Sequence, residues 1–346
     1  MVKSARVIPG PVPEMELRRP RPVIFWMPAF RAGVAGGMLE GCRPAGLGAT
    51  VVRIILKYVV RTADGRQLTT QTYGDPDGSP VVLLHGTPGS RLGPHPRAAV
   101  LHRLGVRLIA FDRPGYGGSD RMQGRLVADV AADVRAIADD YQLPRFAVVG
   151  RSGGGPHALA CAALLPERVT RAAVLVGLAP RGAAGLDWYD GMAQSNVLEY
   201  AAAETGYAGL AAHLKTTMDA IRANPAYLVT QLEADLPDLD RRVVADSGIR
   251  SMLIETYAEA LRSSDYGWID DAVAFCLSWG FDPADVTVPV LLWHGASDRF
   301  SPASHARWLA DRIPAATVLV QPDAAHFGAL DVLPDVLRWL AGRQAA

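Results

Sequence analysis

Residues 148–160 read VVGRSGGGPHALA. An apolar run stops at Gly150, Ser152 stands alone among glycines, and Pro156 opens a run of small residues suited to a helix. Proline fits the first helical turn, where its missing N–H would have had no partner. The stretch therefore reads as strand, sharp turn, helix. Gly150-Arg151-Ser152-Gly153-Gly154 has the form G-x-S-x-G, which holds a serine exposed on a strand-to-helix corner where close backbone approach leaves room only for glycine. A plain glycine-rich turn would look the same, so the reading depends on partners elsewhere in the chain.

Outward from that corner the pattern alternates. Upstream, KYVVRTADGRQLTTQTYGDPDGSPVVLLHG (57–86) predicts an antiparallel hairpin turning at Asp64-Gly65, then a short apolar strand buried on both faces. A helical segment around 97–104 and the strand-and-loop VRLIAFDRPGYGGS (106–119) follow. Residues 125–140 place Val127, Val130, Val134 and Ile137 on one helical stripe. RVTRAAVLVGLAP (168–180), VPVLLWHGASD (288–298) and ATVLVQPDAAH (316–326) supply further strands, with helices over 301–313 and 333–342. Strands alternating with helices imply a mainly parallel sheet covered on both faces. From about 181 to 285 the alternation breaks into a helical stretch rich in Ala, Tyr and Trp. The expected organisation is an N-terminal extension (1–56), an α/β core (57–180 and 286–346) and a helical cap insertion (181–285).

A serine hydroxyl is a weak nucleophile near neutral pH and needs a base, which needs an orienting acid. On a parallel sheet these belong at the carboxyl ends of later strands. Asp298 is expected four residues past the end of one strand, and His326 lies just beyond the last strand. The order Ser152, Asp298, His326 is that of a nucleophile-acid-base triad on an α/β sheet. The glycine-rich turn LHGTPGS (84–90) follows the third strand, where an oxyanion donor belongs. The backbone N–H groups of Thr87 and Gly153 are assigned to that oxyanion hole, with Gly86 as the alternate.

Other candidates read as structural. His85 and His294 each precede glycine at a strand end, His157 lies one turn into the helix behind Ser152, and His305 sits on a helix. Asp323 is a weaker rival to Asp298, being only three residues from His326. Asp112 is read as a loop-tying carboxylate and Arg151 as a solvent-facing or loop-tying arginine, with contact to an anionic substrate as its alternative. Asp270-Asp271, Trp188, Tyr189, Trp268 and Phe275 could line a pocket, but they are read as packing residues of the helical insertion and left out of the site.

Composition excludes several classes. Basic and acidic residues balance at 35 each, and no basic run is interleaved with aromatics, so nucleic-acid binding is not expected. Cys42, Cys161 and Cys276 are far apart and form no CxxC pair, which argues against a disulfide framework or a zinc site. RRPRPVIFWMPAF (18–30) faintly resembles an export signal, but Arg31 interrupts it well short of the roughly 18 residues of a membrane span. LEGC (39–42) fits a lipoprotein site poorly because of Glu40. A poorly ordered extension, no stable membrane insertion and a cytoplasmic location are expected. Oligomeric state is not readable.

LHGTPGS, FDRPGYGGSD, GRSGGG, WHGASDRFSP and DAAHFG together resemble the signature blocks of the α/β-hydrolase superfamily, in the branch of bacterial esterases, haloperoxidase-like and proline iminopeptidase-like enzymes. The resemblance spans about 58–342. It implies an α/β-hydrolase fold with a mostly parallel eight-stranded sheet, flanking helices and a helical cap. It also implies catalytic Ser152, Asp298 and His326, no cofactor and no metal, and a small-molecule acyl substrate. Serine at 152 disfavours epoxide hydrolysis and haloalkane dehalogenation, where the superfamily carries aspartate. A proline iminopeptidase-like activity is the second reading, since Glu199, Glu204 and Glu233 could hold a substrate amino group, although the usual HGGPG block stands here as HGTPG. A non-catalytic small-molecule receptor on the same fold is the third.

Overall fold

The computed structural model describes residues 58–342, and the readings made for residues 1–56, Cys42 included, lie outside them. Its organising element is one eight-stranded sheet. The strands are β1 (Tyr58–Arg61), β2 (Gln67–Gly74), β3 (Ser79–Leu84), β4 (Val106–Phe111), β5 (Phe146–Arg151), β6 (Val169–Leu175), β7 (Val290–Gly295) and β8 (Ala316–Gln321). Their spatial order is β1-β2-β4-β3-β5-β6-β7-β8. β2 pairs antiparallel with β1 and with β4, and every other pair is parallel. The opening hairpin closes where Gly65 takes a φ of +89°, a conformation that disfavours side chains.

The central strands are apolar because both faces are covered. β5 and β7 are buried at every position. Helices α1 (Ala98–Leu104), α2 (Val130–Asp140) and α3 (Gly154–Leu164) join β3 to β4, β4 to β5 and β5 to β6 in turn. The stripe Val127, Val130, Val134 and Ile137 is buried, with Val127 in a short 3-10 turn that precedes α2. Each such side chain contributes about 1.5–3 kcal/mol by leaving water. Between β6 and β7 the chain forms six helices: α4 (Gln194–Glu204), α5 (Tyr207–Ala223), α6 (Ala226–Asp235), α7 (Asp238–Val244), α8 (Ser247–Ala260) and α9 (Tyr266–Cys276). Helices α10 (Ala303–Ala310) and α11 (Ala329–Leu340) flank β8 in sequence.

The strand order fixes where a site can form. From β3 the chain moves to β4 on one side, then crosses to β5 on the other. The connections therefore diverge at the carboxyl ends of β3 and β5, and a crevice opens between them. Leu84 and Gly150 are register partners there, so Thr87 and Ser152 emerge from neighbouring strand ends.

Candidate active site

Ser152 sits on a sharp corner with a φ of +53°, rare for a residue with a side chain. Two backbone bonds hold it there: its N–H donates to Leu175 O at 2.8 Å, and Gly155 N–H donates to Ser152 O at 2.8 Å. A Cβ on Gly150 would strike the Gly154 carbonyl, and one on Gly154 would strike the carbonyl of Leu84. The flanking glycines are required by contact, and the serine is left partly exposed at the crevice.

A Cβ on Gly153 would collide with the Thr87 side chain, so the two turns proposed to donate N–H groups are in contact. Thr87 is fixed from the far side. Its hydroxyl donates to Asp271 Oδ2 at 2.6 Å and accepts from Arg113 Nη2 at 3.1 Å. Asp271, on α9 and fully buried, also accepts from Tyr116 Oη at 2.8 Å, from Arg125 Nη1 at 2.6 Å, from His157 Nε2 at 3.2 Å and from Arg113. Burial opposes its charge, but Arg113 and Arg125 outweigh that and hold the carboxyl well below the usual range. Arg113 continues to the carbonyls of His85 and Gly86. The carboxylate on α9 thus anchors the turn after β3.

His326 Nδ1 lies 2.9 Å from Asp298 Oδ2. β7 extends through His294 and Gly295, which pair with Val320 and Gln321, so Asp298 stands three residues beyond the strand rather than four. Asp298 Oδ1 accepts the N–H groups of Phe300 at 2.8 Å and Ser301 at 3.1 Å, which aims Oδ2 at the histidine. Burial resists its charge, yet His326 and then His294 pull the carboxyl far below its ordinary value. An ionised Asp298 can only accept, so Nδ1 of His326 donates to it and Nε2 is the ring nitrogen turned away from the acid.

The loop of His326 is held by a residue from the helical segment. Asp240, on α7 and fully buried, accepts the backbone N–H of His326 at 2.9 Å and of Phe327 at 2.7 Å. Burial raises its carboxyl, and the nearby His326 partly offsets the rise.

The remaining candidates fall into place by contact. His85 Nδ1 meets Gly86 O and its Nε2 accepts Arg113 N–H at 3.1 Å. His294 is buried against the Ser301 carbonyl and lies 3.3 Å from Asp298. His157 reaches Asp271 as well as the Val127 carbonyl, so it belongs to the buried carboxylate cluster rather than to backbone contacts alone. His305 bridges Ala179 N–H and the Trp188 carbonyl. Asp323 is exposed on its turn. Asp112 accepts Arg91 N–H at 2.8 Å and Gly118 N–H at 3.0 Å, tying two loops. Arg151 is neither solvent-facing nor loop-tying: it is 8% exposed and faces a cavity.

That cavity, about 410 Å³, is lined by Ser152, Gly153, Thr87 and His326 from the sheet side and by Glu199, Trp268 and other residues of α4–α9. Glu199 is raised to about 7 by burial, against a hydrogen bond from Trp268 Nε1. Of the other two glutamates weighed for an amino group, Glu204 pairs with Arg181 and Glu233 with Arg250, which disperses the acidic set. Among the described residues no cluster of His, Cys, Asp and Glu could hold a metal, and no helix is long and apolar enough to cross a membrane.

Sequence reading passed over Asp240 and set Asp271 aside as a packing residue. Asp271 left a trace, an acidic pair inside the otherwise apolar YGWIDDAVAF, but Asp240 lies in a charged stretch with nothing to distinguish it.

A family profile described as the alpha/beta hydrolase fold matches residues 79–331, more than half the chain, and the protein belongs to that family. It is 26% identical over 281 residues to a non-heme chloroperoxidase of Streptomyces lividans, covering 80% of this chain and 95% of the relative. It is 27% identical to a rhodomycin D methylesterase of Streptomyces peucetius, covering 77% and 90%. It spans only 65% of a dihydrolipoyllysine-residue acetyltransferase component of Pseudomonas putida and 34% of a proline iminopeptidase of Arabidopsis thaliana. Among solved structures, an esterase from Exiguobacterium antarcticum superposes with a TM-score of 0.59 at 20% identity, covering 83% of this chain and 98% of its own. These likenesses agree with the family profile in assigning the alpha/beta hydrolase fold.

Proposed function

We propose that the protein is a serine hydrolase that cleaves the ester of a small carboxylic acid through an acyl-enzyme. The observation that carries this reading is the 2.9 Å contact between Asp298 Oδ2 and the Nδ1 of His326, which lines the same cavity as Ser152. His326 Nε2 takes the Ser152 proton as Oγ attacks the carbonyl carbon. The negative oxygen that forms is met by the N–H groups of Thr87 and Gly153. On collapse the alcohol leaves with the proton from His326, and a water activated by the same nitrogen releases the acid and restores Ser152. Residues 181–285 act as a cap over a core of 57–180 and 286–346, because both Asp240 and Asp271 reach from that segment to the turns of the site.

The test is fluorophosphonate labelling together with hydrolysis of short nitrophenyl esters. Ser152→Ala is expected to abolish labelling and lower turnover by roughly 10⁴-fold or more. Activity that survives the substitution refutes the nucleophile. A wild type that neither labels nor turns over, while still binding small acyl compounds, supports the receptor reading instead.

A further inference from the structure

Four arginines are buried among the described residues: Arg91, Arg113, Arg125 and Arg151. The first three are ion-paired, Arg91 to Asp112 and Glu259, Arg113 and Arg125 to Asp271. Arg151 is the exception. Its guanidinium has no hydrogen bond or ion pair with a described residue, and Nη1 is wholly buried without a partner. It lies over the Phe327 ring, 5.6 Å from the guanidinium carbon. The Tyr257 phenol is its strongest electrostatic neighbour and makes no hydrogen bond to it, and the two carboxylates in its field, Asp240 and Asp298, are already committed, to the His326 loop and to the His326 ring. A guanidinium stays charged in a protein, and a buried one without a counter-ion is costly. A fold that keeps such a group beside its nucleophile has left its counter-ion to be supplied from outside.

The position narrows what that counter-ion is. A Cβ on Gly86 would stand 3.5 Å from Arg151 Nη2 and 3.6 Å from Ser152 Cβ. The guanidinium and the nucleophile therefore border one small space, on the turn that precedes Thr87. Arg151 also lines the cavity with Ser152 and His326. An anion held there lies a few bonds from a carbonyl under attack by Ser152, and the planar fork of an arginine suits a carboxylate.

We propose that Arg151 is a specificity-determining residue that binds a free carboxylate on the acyl part of the substrate, so that the favoured substrates are half-esters of short dicarboxylic acids. This rests on the serine-hydrolase reading. The carboxylate would be the missing partner of Nη1 or Nη2, and its charge would be retained throughout acylation and deacylation.

The experiment compares monomethyl succinate with methyl butyrate, esters of similar length that differ in the terminal carboxylate, by methanol release from wild type, Arg151→Met and Arg151→Lys. A charge-assisted hydrogen bond in a buried site corresponds to roughly 10–100-fold in selectivity. Wild type is expected to favour the succinate ester. Arg151→Met is expected to lower the succinate-to-butyrate ratio of kcat/KM by that factor, mainly through KM, and Arg151→Lys to retain part of it. The melting temperature of Arg151→Met should match or exceed that of wild type, because no partner is left unpaired when the charge is removed. A wild type without preference for the charged ester, an unchanged ratio in Arg151→Met, or an Arg151→Met protein that fails to fold each overturns the proposal.

Calorimetry of monomethyl succinate binding to Ser152→Ala separates this from the serine-hydrolase reading. If wild type neither labels with fluorophosphonate nor turns over, the nucleophile assignment falls. Binding to Ser152→Ala that is lost in Ser152→Ala/Arg151→Met then still supports the carboxylate site. Binding that is absent, or indifferent to Arg151, overturns it.

Discussion

Asp240 lies far in sequence from the histidine it serves, which makes Asp240→Ala an informative perturbation. Its carboxylate accepts two N–H groups, from His326 at 2.9 Å and Phe327 at 2.7 Å, and it is fully buried. Alanine leaves both donors without a partner in a buried place. Each such loss costs about 1–3 kcal/mol, but burying the carboxylate carried its own penalty, which the substitution returns. The net loss is about 2–4 kcal/mol, concentrated on the loop that carries the base. If it appears as a smaller population of the competent loop, about 2 kcal/mol alone corresponds to roughly 30-fold in rate. Turnover of nitrophenyl esters is therefore expected to fall by roughly 10–1000-fold with KM changed by less than about threefold, because the variant removes no cavity-lining group. Asp240→Asn keeps one acceptor oxygen and should fall between alanine and wild type. Urea unfolding of the same variants measures how much of the loss is global. An Asp240→Ala protein with wild-type turnover and wild-type unfolding would refute the reasoning, because two buried N–H groups would then have been freed at no cost.

Gly153→Ala should push the Thr87 turn away from the nucleophile and lower kcat by roughly 10²–10³ with fluorophosphonate labelling slowed in parallel; near-normal turnover would argue against Gly153 as an oxyanion donor. Asp271→Leu leaves Arg113 and Arg125 buried without their carboxylate and should cost about 3–5 kcal/mol by urea unfolding, a result absent if the cluster is not a stability element. His305 is pushed down to about 4 by burial, and its Nδ1 accepts the Ala179 N–H, so the folded state holds it neutral. The unfolded chain takes up that proton near its ordinary pKa of about 6.5. Stability from this group is therefore complete above about pH 6.5 and is lost as pH falls toward 4, by roughly 1–3 kcal/mol. Unfolding curves at pH 8 and pH 5 should show the drop, with a smaller one in His305→Gln; equal drops would assign the effect elsewhere.

Sequence by itself determined the alternation of strands and helices, the strand-to-helix corner at Ser152, and the identities of Asp298 and His326 as residues beyond late strands. Those features are local: apolar runs set the strands, the glycines around Ser152 are required by backbone contact, and the chain order of strand ends is visible without coordinates. The length of β7 was misjudged by one residue because its last pairs depend on β8, a partner supplied by tertiary contact. Tertiary structure alone decided which distant charges meet. Asp240 and Asp271 come from helices whose packing carries them to turns roughly 90 to 180 residues away in the chain. Arg151 was legible as a neighbour of Ser152 that an anionic substrate could meet, but its burial without a carboxylate could not be read from spacing. Pairing of buried charges is a property of the packed interior, where each ion needs a partner because water is gone.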